Sequence, residues 1–129
     1  MMNLLLDTHL ILMAATDPRR LSEEARLLLL DSANELFYSA ASLWEITIKR
    51  GLGRPDFQVD PRRLWRMLPI NGYRELPVTG EHGIAVETLP LLHKDPFDRL
   101  LLAQARTEDM VLLTKDLKLA EYGEPVKLV

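Results

Sequence analysis

Short apolar runs alternate along the chain with longer segments in which apolar residues recur at helical spacing. An apolar run of about four to eight residues bounded by turn residues is typical of a buried strand. Residues 3–6, 35–39 and 110–114 have this form, and residues 75–78 and 124–128 are candidates for further strands. The pattern therefore predicts four or five strands.

Capping residues mark helices between these strands. Asp60-Pro61 and Asp95-Pro96 each place a capping aspartate before a proline, the residue that suits the first helical position. The predicted helices cover residues 10–15, 22–30, 42–51, 60–69, 79–88 and 95–106. Alternating strands and helices predict an α/β fold of three layers, a parallel sheet with helices on both faces. At 129 residues, we expect a single domain covering residues 1–129.

Four acidic residues lie where these elements meet. Asp7 and Asp116 follow buried strands, whereas Glu45 and Asp98 lie near the starts of predicted helices. In a parallel α/β sheet, the carboxyl ends of strands and the amino ends of the following helices share one edge, where ligands bind. Four carboxylates at one edge repel each other unless a cation lies between them. Because oxygen-rich sites favour magnesium or manganese, the placement predicts a site for Mg²⁺ or Mn²⁺.

Each of these residues also has an ordinary structural explanation. Ser42 and Glu45 have the spacing of a capping box, in which the glutamate satisfies the backbone N–H of the serine. Asp98 could complement the helix dipole, and Asp7 and Asp116 could form local turns. Taken singly, each explanation is sufficient. The convergence of all four on one edge favours the metal site, because capping does not explain why both aspartates follow strands.

Composition excludes several other kinds of chemistry. The chain has no cysteine, which excludes disulfides, thiolate metal sites and a cysteine nucleophile. His9, His82 and His93 do not have the spacing of a zinc site. The chain also has no Gly-x-Ser-x-Gly motif and no glycine-rich phosphate loop before a helix.

Charge is distributed unevenly, although the formal net charge is only −3. Residues 49–74 contain seven basic residues against two acidic ones. Arginines beside an acidic site could hold the phosphates of a polyanionic substrate. The alternative is a solvated helix face. The candidate phosphate-binding residues are Arg50, Arg54, Arg62, Arg63 and Arg66.

Four blocks carry a resemblance to a known family. They are Leu4-Leu-Leu-Asp7-Thr-His, Ser39-Ala-Ala-Ser-Leu-Trp-Glu45-Ile-Thr-Ile-Lys49, His93-Lys-Asp-Pro-Phe-Asp98-Arg-Leu-Leu-Leu-Ala-Gln-Ala105 and Leu113-Thr-Lys-Asp116. In this order and spacing, the chain resembles a PIN-domain protein, specifically a VapC-type toxin ribonuclease of a type II toxin–antitoxin system. The resemblance spans nearly the whole chain.

The resemblance implies a specific activity and specific partners. It implies a Mg²⁺- or Mn²⁺-dependent endoribonuclease in which metal-activated water hydrolyses RNA, with one or two ions at the site. It also implies a homodimer and inhibition by a cognate VapB-type antitoxin. The residues carried over as catalytic groups and metal ligands are Asp7, Glu45, Asp98 and Asp116, with Thr114 as a polar neighbour on the substrate side.

Two other classes of function stay open at this point. One is a catalytically silent PIN-like binding protein, and the other is a magnesium-binding receiver-type signalling domain, which would need an acidic pair after the first strand. The leucines 27–30, Trp44 and Trp65 are candidates for contacts with a second copy or a partner. We expect no signal peptide and no membrane span, because Asp7 and His9 interrupt the apolar N-terminal segment, and we expect a cytoplasmic protein.

Overall fold

Strands and helices alternate through the computed structural model, which describes residues 1–129. The strands are β1 (Asn3–Leu6), β2 (Glu35–Ser39), β3 (Tyr73–Leu76), β4 (Val111–Thr114) and β5 (Val126–Leu128). The α-helices are α1 (Thr8–Thr16), α2 (Glu23–Leu30), α3 (Ala40–Gly51), α4 (Pro61–Ile70), α5 (Gly80–Ala85), α6 (Pro96–Thr107) and α7 (Leu117–Ala120). Single 3₁₀ turns lie at Pro18–Arg20, Pro55–Phe57 and Val86–Thr88.

The five strands form one parallel sheet in the order β3-β2-β1-β4-β5. This confirms the predicted sheet of four or five strands. β1 pairs with β2 on one side and β4 on the other, which explains why residues 4–6 are all leucine: both faces of a central parallel strand are covered. The third strand begins two residues before the predicted 75–78, because Tyr73 is buried opposite Leu36 and Pro77 has no N–H for the ladder.

Two hydrophobic clusters cover the two faces of the sheet. Leu4 and Leu6 point into a cluster built with α1, α3 and α4, and Leu5 points into the other, built mainly with α6. Side chains of a strand alternate between its faces, so one three-leucine run supplies both clusters. The fold is therefore the predicted three-layer α/β arrangement with helices on both faces of the sheet.

The helices are short. The longest, α3 and α6, have 12 residues each, whereas about 20 apolar residues are needed to cross a bilayer. No helix is long and apolar enough to span a membrane.

Candidate active site

The strand order reverses between β1 and β4, and this switch point positions the candidate site. The chain continues from β1 to β2 on one side, whereas β4 lies on the other side of β1. A crevice opens at such a point beyond the carboxyl ends of the strands. Asp7 follows β1 directly, and Asp116 lies two residues after β4. Both therefore lie at the crevice.

Asp7 is buried and caps α1. One carboxylate oxygen, Oδ1, accepts a hydrogen bond of 2.9 Å from the N–H of Leu10, and Oδ2 accepts one of 2.5 Å from the Thr114 hydroxyl. Burial raises the pKa of Asp7 above its ordinary value, and the hydrogen bonds from Thr114 and Leu10 oppose the rise. Thr114 also accepts a bond of 3.0 Å from the N–H of Asp116. This threonine therefore joins the two aspartates at the ends of β1 and β4.

Glu45 does not cap α3, so the alternative explanation of Glu45 as part of a capping box is wrong. The helix begins directly after β2 because Ser39 caps it, accepting a bond of 3.0 Å from the N–H of Ala41. Ser42 therefore lies inside the helix and is buried. This earlier start places Glu45 in the second turn of α3, where its side chain is free of any capping role and turns into the protein.

Glu45 is held instead by Thr8 and Lys49. The Thr8 hydroxyl donates a bond of 2.6 Å to Oε1, and Lys49 Nζ lies 2.6 Å from Oε2. Ser42 Oγ lies 2.9 Å from the Thr8 hydroxyl. The Glu45 side chain is only 3% exposed, and a buried carboxylate requires such partners. Lys49 is thus the cation that the fold brings to the site.

Asp98 lies in the first turn of α6, behind the capping residue Asp95. Burial, together with the negative charges of Asp95, Asp7, Glu45 and Asp116, raises the pKa of Asp98 to about 8. Asp7, Glu45 and Asp116 act on it electrostatically although they come from other parts of the chain. The structure therefore brings all four acidic residues into one electrostatic group.

Asp116 contacts a histidine that sequence reasoning set aside. His93 Nε2 lies 2.8 Å from Asp116 Oδ2 and 3.2 Å from Asp98 Oδ2. Partial burial acts to raise the pKa of Asp116, but the hydrogen bonds from His93 and from the N–H of Lys118 outweigh it and lower the pKa below its ordinary value. His93 therefore bridges two of the four carboxylates.

The second ring nitrogen of His93 shows which role the imidazole has. Nδ1 accepts a hydrogen bond of 3.1 Å from the N–H of Asp95. In neutral histidine, an accepting Nδ1 requires the proton to be on Nε2. Nε2 is then a donor to the carboxylates and has no lone pair for a cation. His93, Asp98 and Asp116 offer atoms within 4.8 Å of one another, but only the two carboxylates are available as ligands in this tautomer.

The loop that carries His93 is held by Arg99 and Tyr122. The Tyr122 hydroxyl accepts a bond of 3.1 Å from the N–H of His93 and donates one of 2.7 Å to the carbonyl of Pro90. Arg99 donates to the carbonyls of Pro90 and Leu89, at 3.2 and 3.4 Å. These groups come from α6 and from the segment after α7. The position of His93 is thus fixed by tertiary contacts, and no local sequence signal could have assigned it to the site.

The five arginines proposed from the sequence are exposed and do not contact the carboxylates. Arg50 pairs with Asp60 at 3.8 Å, and Arg54 pairs with Asp56 at 3.6 Å. Arg62, Arg63 and Arg66 lie on the exposed face of α4. Arg62 lies beside α3, Arg63 lies at the cleft between α1 and α4, and Arg66 lies beside β3. None of the five arginines organises the four acidic side chains.

A cleft of about 510 Å³ lies between α1 and α4, apart from the carboxylates. Its lining is mostly apolar and includes Ile11, Leu64, Met67 and Leu68, with Arg63 at its edge. Its composition fits an apolar segment better than a polyanion.

The profile of the PIN domain family matches residues 4–125 of this chain. The comparison with curated protein sequences finds no match. The matched range includes all four acidic residues, Thr114 and His93.

Solved toxin–antitoxin complexes contain the same fold. VapBC2 from Rickettsia felis, bound to a promoter DNA fragment, is 18% identical with a TM-score of 0.69, over 99% of this chain and 98% of that chain. DNA-bound VapBC from Salmonella typhimurium is 17% identical with a TM-score of 0.64, over 100% and 98%. A toxin–antitoxin complex from Klebsiella pneumoniae is 19% identical with a TM-score of 0.62, over 95% and 94%. At these identities, the likeness establishes a shared fold.

Proposed function

The chain belongs to the PIN domain family, and we propose that it is a VapC-type toxin, a metal-dependent endoribonuclease. The observation that carries the proposal is the convergence of Asp7, Glu45, Asp98 and Asp116 at one edge of the sheet. Thr114 joins Asp7 to Asp116, and His93 bridges Asp116 and Asp98. Burial and the neighbouring negative charges raise the pKa of Asp98 to about 8, in agreement with this placement. A buried carboxyl whose pKa is strongly raised by neighbouring carboxylates lowers the stability of the protein, and such groups are typical of functional sites. Membership of the PIN domain family excludes the receiver-type signalling domain. A catalytically silent binding protein would bind metal without cleaving RNA.

The donor set fits Mg²⁺ or Mn²⁺. These ions prefer carboxylate oxygens, and one or two ions would be held by Asp7, Glu45, Asp98 and Asp116. When bound, such an ion supplies Lewis acidity toward a phosphodiester and lowers the pKa of water.

Neighbouring side chains hold the carboxylates in position. Thr114 holds Asp7, the Thr8 hydroxyl and Lys49 hold Glu45, and His93 holds Asp116. The hydroxyls of Thr114 and Thr8 each donate a hydrogen bond to a carboxylate. They orient the carboxylates and are not free nucleophiles. Hydrolysis by water, with no covalent protein intermediate, is therefore the reaction that this arrangement supports.

RNA is proposed as the substrate because of the resemblance to VapC-type ribonucleases. Proteins that select RNA sequences read unstacked bases in single strands and loops, because side chains cannot enter the deep, narrow major groove of duplex RNA. We therefore propose a single-stranded or loop substrate. Of the five arginines proposed for phosphate contacts, the exposed Arg62, Arg63 and Arg66 on α4 form no ion pair, whereas Arg50 and Arg54 are paired with aspartates.

A VapB-type antitoxin and a second copy of the chain are the proposed partners. The similar solved structures are complexes of VapB and VapC or of a toxin with its antitoxin. Leu27 and Leu30 lie exposed on α2, and the apolar cleft between α1 and α4 offers a further contact surface. Sedimentation at micromolar concentration tests self-association, and a monomer there contradicts the proposed homodimer.

The experiment that tests the function measures cleavage and metal binding together. Single-stranded RNA and DNA of one sequence are incubated with the protein in chelator, in Mg²⁺ and in Mn²⁺. We expect RNA cleavage only with metal, and none with Asp7→Asn or Asp116→Asn. The matched control is Asp31→Asn, an exposed aspartate at the end of α2 that lies outside the site.

Thermal unfolding supplies a readout that does not depend on cleavage. A cation bound only by the native state raises the melting temperature by mass action. We expect millimolar Mg²⁺ or Mn²⁺ to raise it in wild type and Asp31→Asn, and not in Asp7→Asn. Metal-dependent stabilisation without cleavage of any RNA would identify a silent binding protein, and an unchanged melting temperature would refute the metal site.

A further inference from the structure

The chain has two tryptophans, and the fold places them in different surroundings. Trp44 is 62% exposed on α3, and Trp65 is 50% exposed on α4. Trp44 immediately precedes the site residue Glu45, whereas Trp65 lies among the exposed residues of a helix that supplies no carboxylate. Successive residues of a helix point about 100° apart, so Glu45 turns inward while Trp44 remains outside beside it.

Trp44 is paired with a second aromatic residue that also adjoins a carboxylate. Phe97 immediately precedes Asp98 in α6, and its ring centroid lies 5.5 Å from that of Trp44 at an interplanar angle of 72°. Lys49 Nζ, which contacts Glu45, lies 5.8 Å from the centre of the Phe97 ring. Contacts therefore connect the aromatic pair to the carboxylate site: Trp44 packs on Phe97, and Phe97 lies against Lys49, which holds Glu45.

An edge-to-face pair fixes the orientation of an indole without covering it. Phe97 is half-buried and holds Trp44, but most of the Trp44 side chain stays open to solvent. A flat, immobilised and exposed ring is the form of a stacking platform, because a nucleobase stacks on an aromatic face whatever its sequence. Lys49 is committed to Glu45, so the platform would hold its ligand by stacking and not by phosphate attraction.

We propose that Trp44, held in place by Phe97, stacks against an unpaired nucleobase of a single-stranded RNA whose phosphodiester lies at the carboxylates. The inference rests on the proposed nuclease function and adds a specific base-binding subsite to it. A base in a continuous duplex has both faces covered by its neighbours, so the platform selects a nucleotide that is unstacked. A second copy of the chain covering Trp44 is the competing occupant, and the test separates the two.

The test uses the two tryptophans as matched probes. In chelator, where no cleavage is expected, the fluorescence of Trp65→Phe reports Trp44 alone, and that of Trp44→Phe reports Trp65 alone. We expect a single-stranded oligoribonucleotide to quench Trp44 saturably and an abasic ribose-phosphate oligomer of the same length to leave Trp44 unchanged. Trp65 lies beside the proposed phosphate-binding residues Arg62 and Arg66, so it should respond to the two oligomers alike. Quenching of neither tryptophan by an oligomer that the protein binds would overturn the proposal.

Affinity measurements identify the base as the ligand. Stacking of one base contributes about 1–3 kcal/mol, which corresponds to about 5- to 150-fold in affinity. We expect Trp44→Leu to weaken binding of single-stranded RNA within this range and Trp44→Phe to restore most of the loss. Trp65 lies beside Arg62 and Arg66, so Trp65→Leu should change the affinity for RNA and for an abasic oligomer to the same extent. Against an abasic ribose-phosphate oligomer of the same length, Trp44→Leu should bind like wild type.

The outcomes separate failure of the platform from failure of the proposed function. RNA cleavage with unchanged affinity in Trp44→Leu overturns the platform and leaves the nuclease in place. Stacking on Trp44 without metal-dependent cleavage supports the platform and overturns the nuclease. If Trp44 fluorescence varies with protein concentration in the absence of RNA, and Trp44→Leu abolishes self-association without changing RNA affinity, the surface is a protein interface and the platform is wrong. Thermal unfolding of each variant checks that the fold is intact.

Discussion

Asp98→Asn tests whether Asp98 is a functional residue held at a cost in stability. The change keeps the shape of the side chain and removes its ability to ionise. Asp98 has its pKa raised to about 8 by burial and by the neighbouring carboxylates. If these carboxylates form a metal site, the variant should lose RNA cleavage and yet be more stable than wild type in chelator at neutral pH, as expected for a strained functional group.

The direction of the pH dependence follows from the pKa of Asp98 in the two states. In the unfolded chain the carboxyl titrates near its ordinary value of 3.8, whereas in the folded protein it keeps its proton to about pH 8. Between these two pKa values the folded state binds one more proton than the unfolded state. The contribution of Asp98 to stability is therefore fully present below about pH 4, decreases as the pH rises, and is lost as the pH passes 8. Asparagine has no such dependence. The stability advantage of the variant should be absent at acidic pH and grow between pH 4 and 8.

The magnitude is set by the width of that interval. At about 1.4 kcal/mol for each pH unit, the interval from 3.8 to about 8 gives an upper limit of about 6 kcal/mol. Because 17% of the Asp98 side chain is exposed, water screens the neighbouring charges, and we expect a gain on the order of 2 kcal/mol at neutral pH.

The assay combines urea unfolding in chelator, from pH 4 to 9, with manganese-dependent cleavage of RNA. Glu23→Gln is the matched control, because Glu23 is an exposed first-turn acid of α2 with no site carboxylate beside it. Removing a first-turn acid that serves only the helix dipole costs about 0.3–1 kcal/mol, and we expect that loss for Glu23→Gln. An Asp98→Asn variant that is destabilised to the same extent and cleaves RNA normally would refute the assignment of Asp98.

Three further predictions concern residues around the carboxylates. Thr114→Val keeps the shape but removes the donor to buried Asp7, so unfolding experiments should show a loss of about 1–3 kcal/mol together with slower RNA cleavage. His93→Ala should lower Mn²⁺ affinity, measured by calorimetry, by about 10- to 100-fold, as for other groups that orient metal ligands. His93→Gln keeps an N–H donor and should retain most of the affinity. Equal losses in the two variants would contradict a role through that donor. Neutralising Arg62 and Arg63 to glutamine should weaken RNA binding for all sequences and reduce the slope of log affinity against log salt by about 0.7 for each lost contact with a single strand; an unchanged slope would make this surface a solvated helix face.

The parts of the fold that follow from local periodicity could be predicted from the sequence. The leucines of β1 and β4 are continuous because both strands are central in a parallel sheet, and the Asp-Pro pairs mark the starts of α4 and α6. The placement of Asp7 and Asp116 at one edge follows from the same logic, since parallel strands share their direction. These features need no knowledge of distant contacts.

The start of α3 could not be predicted, because two serines compete for one role. Ser39 and Ser42 are both suitable caps, and Ser42 has the additional signal of a glutamate three residues later. The sheet decides between them: β2 continues to Ser39, where the chain turns directly into the helix. The pairing of β2 in the sheet, and not the local capping signal, therefore sets the start of α3. Because Glu45 is not a capping residue, its side chain contacts Thr8 and Lys49.

Each of the four carboxylates has a different compensating partner in the metal-free protein. Asp98 keeps a proton near neutral pH, Glu45 contacts Lys49, Asp116 accepts from His93, and Asp7 accepts from Thr114. These partners reduce a repulsion that would otherwise oppose folding.

The compensation has different consequences for the four positions when a cation binds. Both oxygens of Asp7 and of Glu45 accept a hydrogen bond or ion pair, but a carboxylate oxygen has a second lone pair, so these contacts can remain while an oxygen serves as a ligand. A proton on Asp98 cannot remain, because the ligand form of a carboxyl is the carboxylate. Cation binding is therefore coupled to proton release at Asp98 and should tighten as the pH rises toward 8, the same interval in which the metal-free protein loses stability. The raised pKa of Asp98 thus has two effects: it opposes folding as the pH rises toward 8, and it makes metal affinity depend on pH.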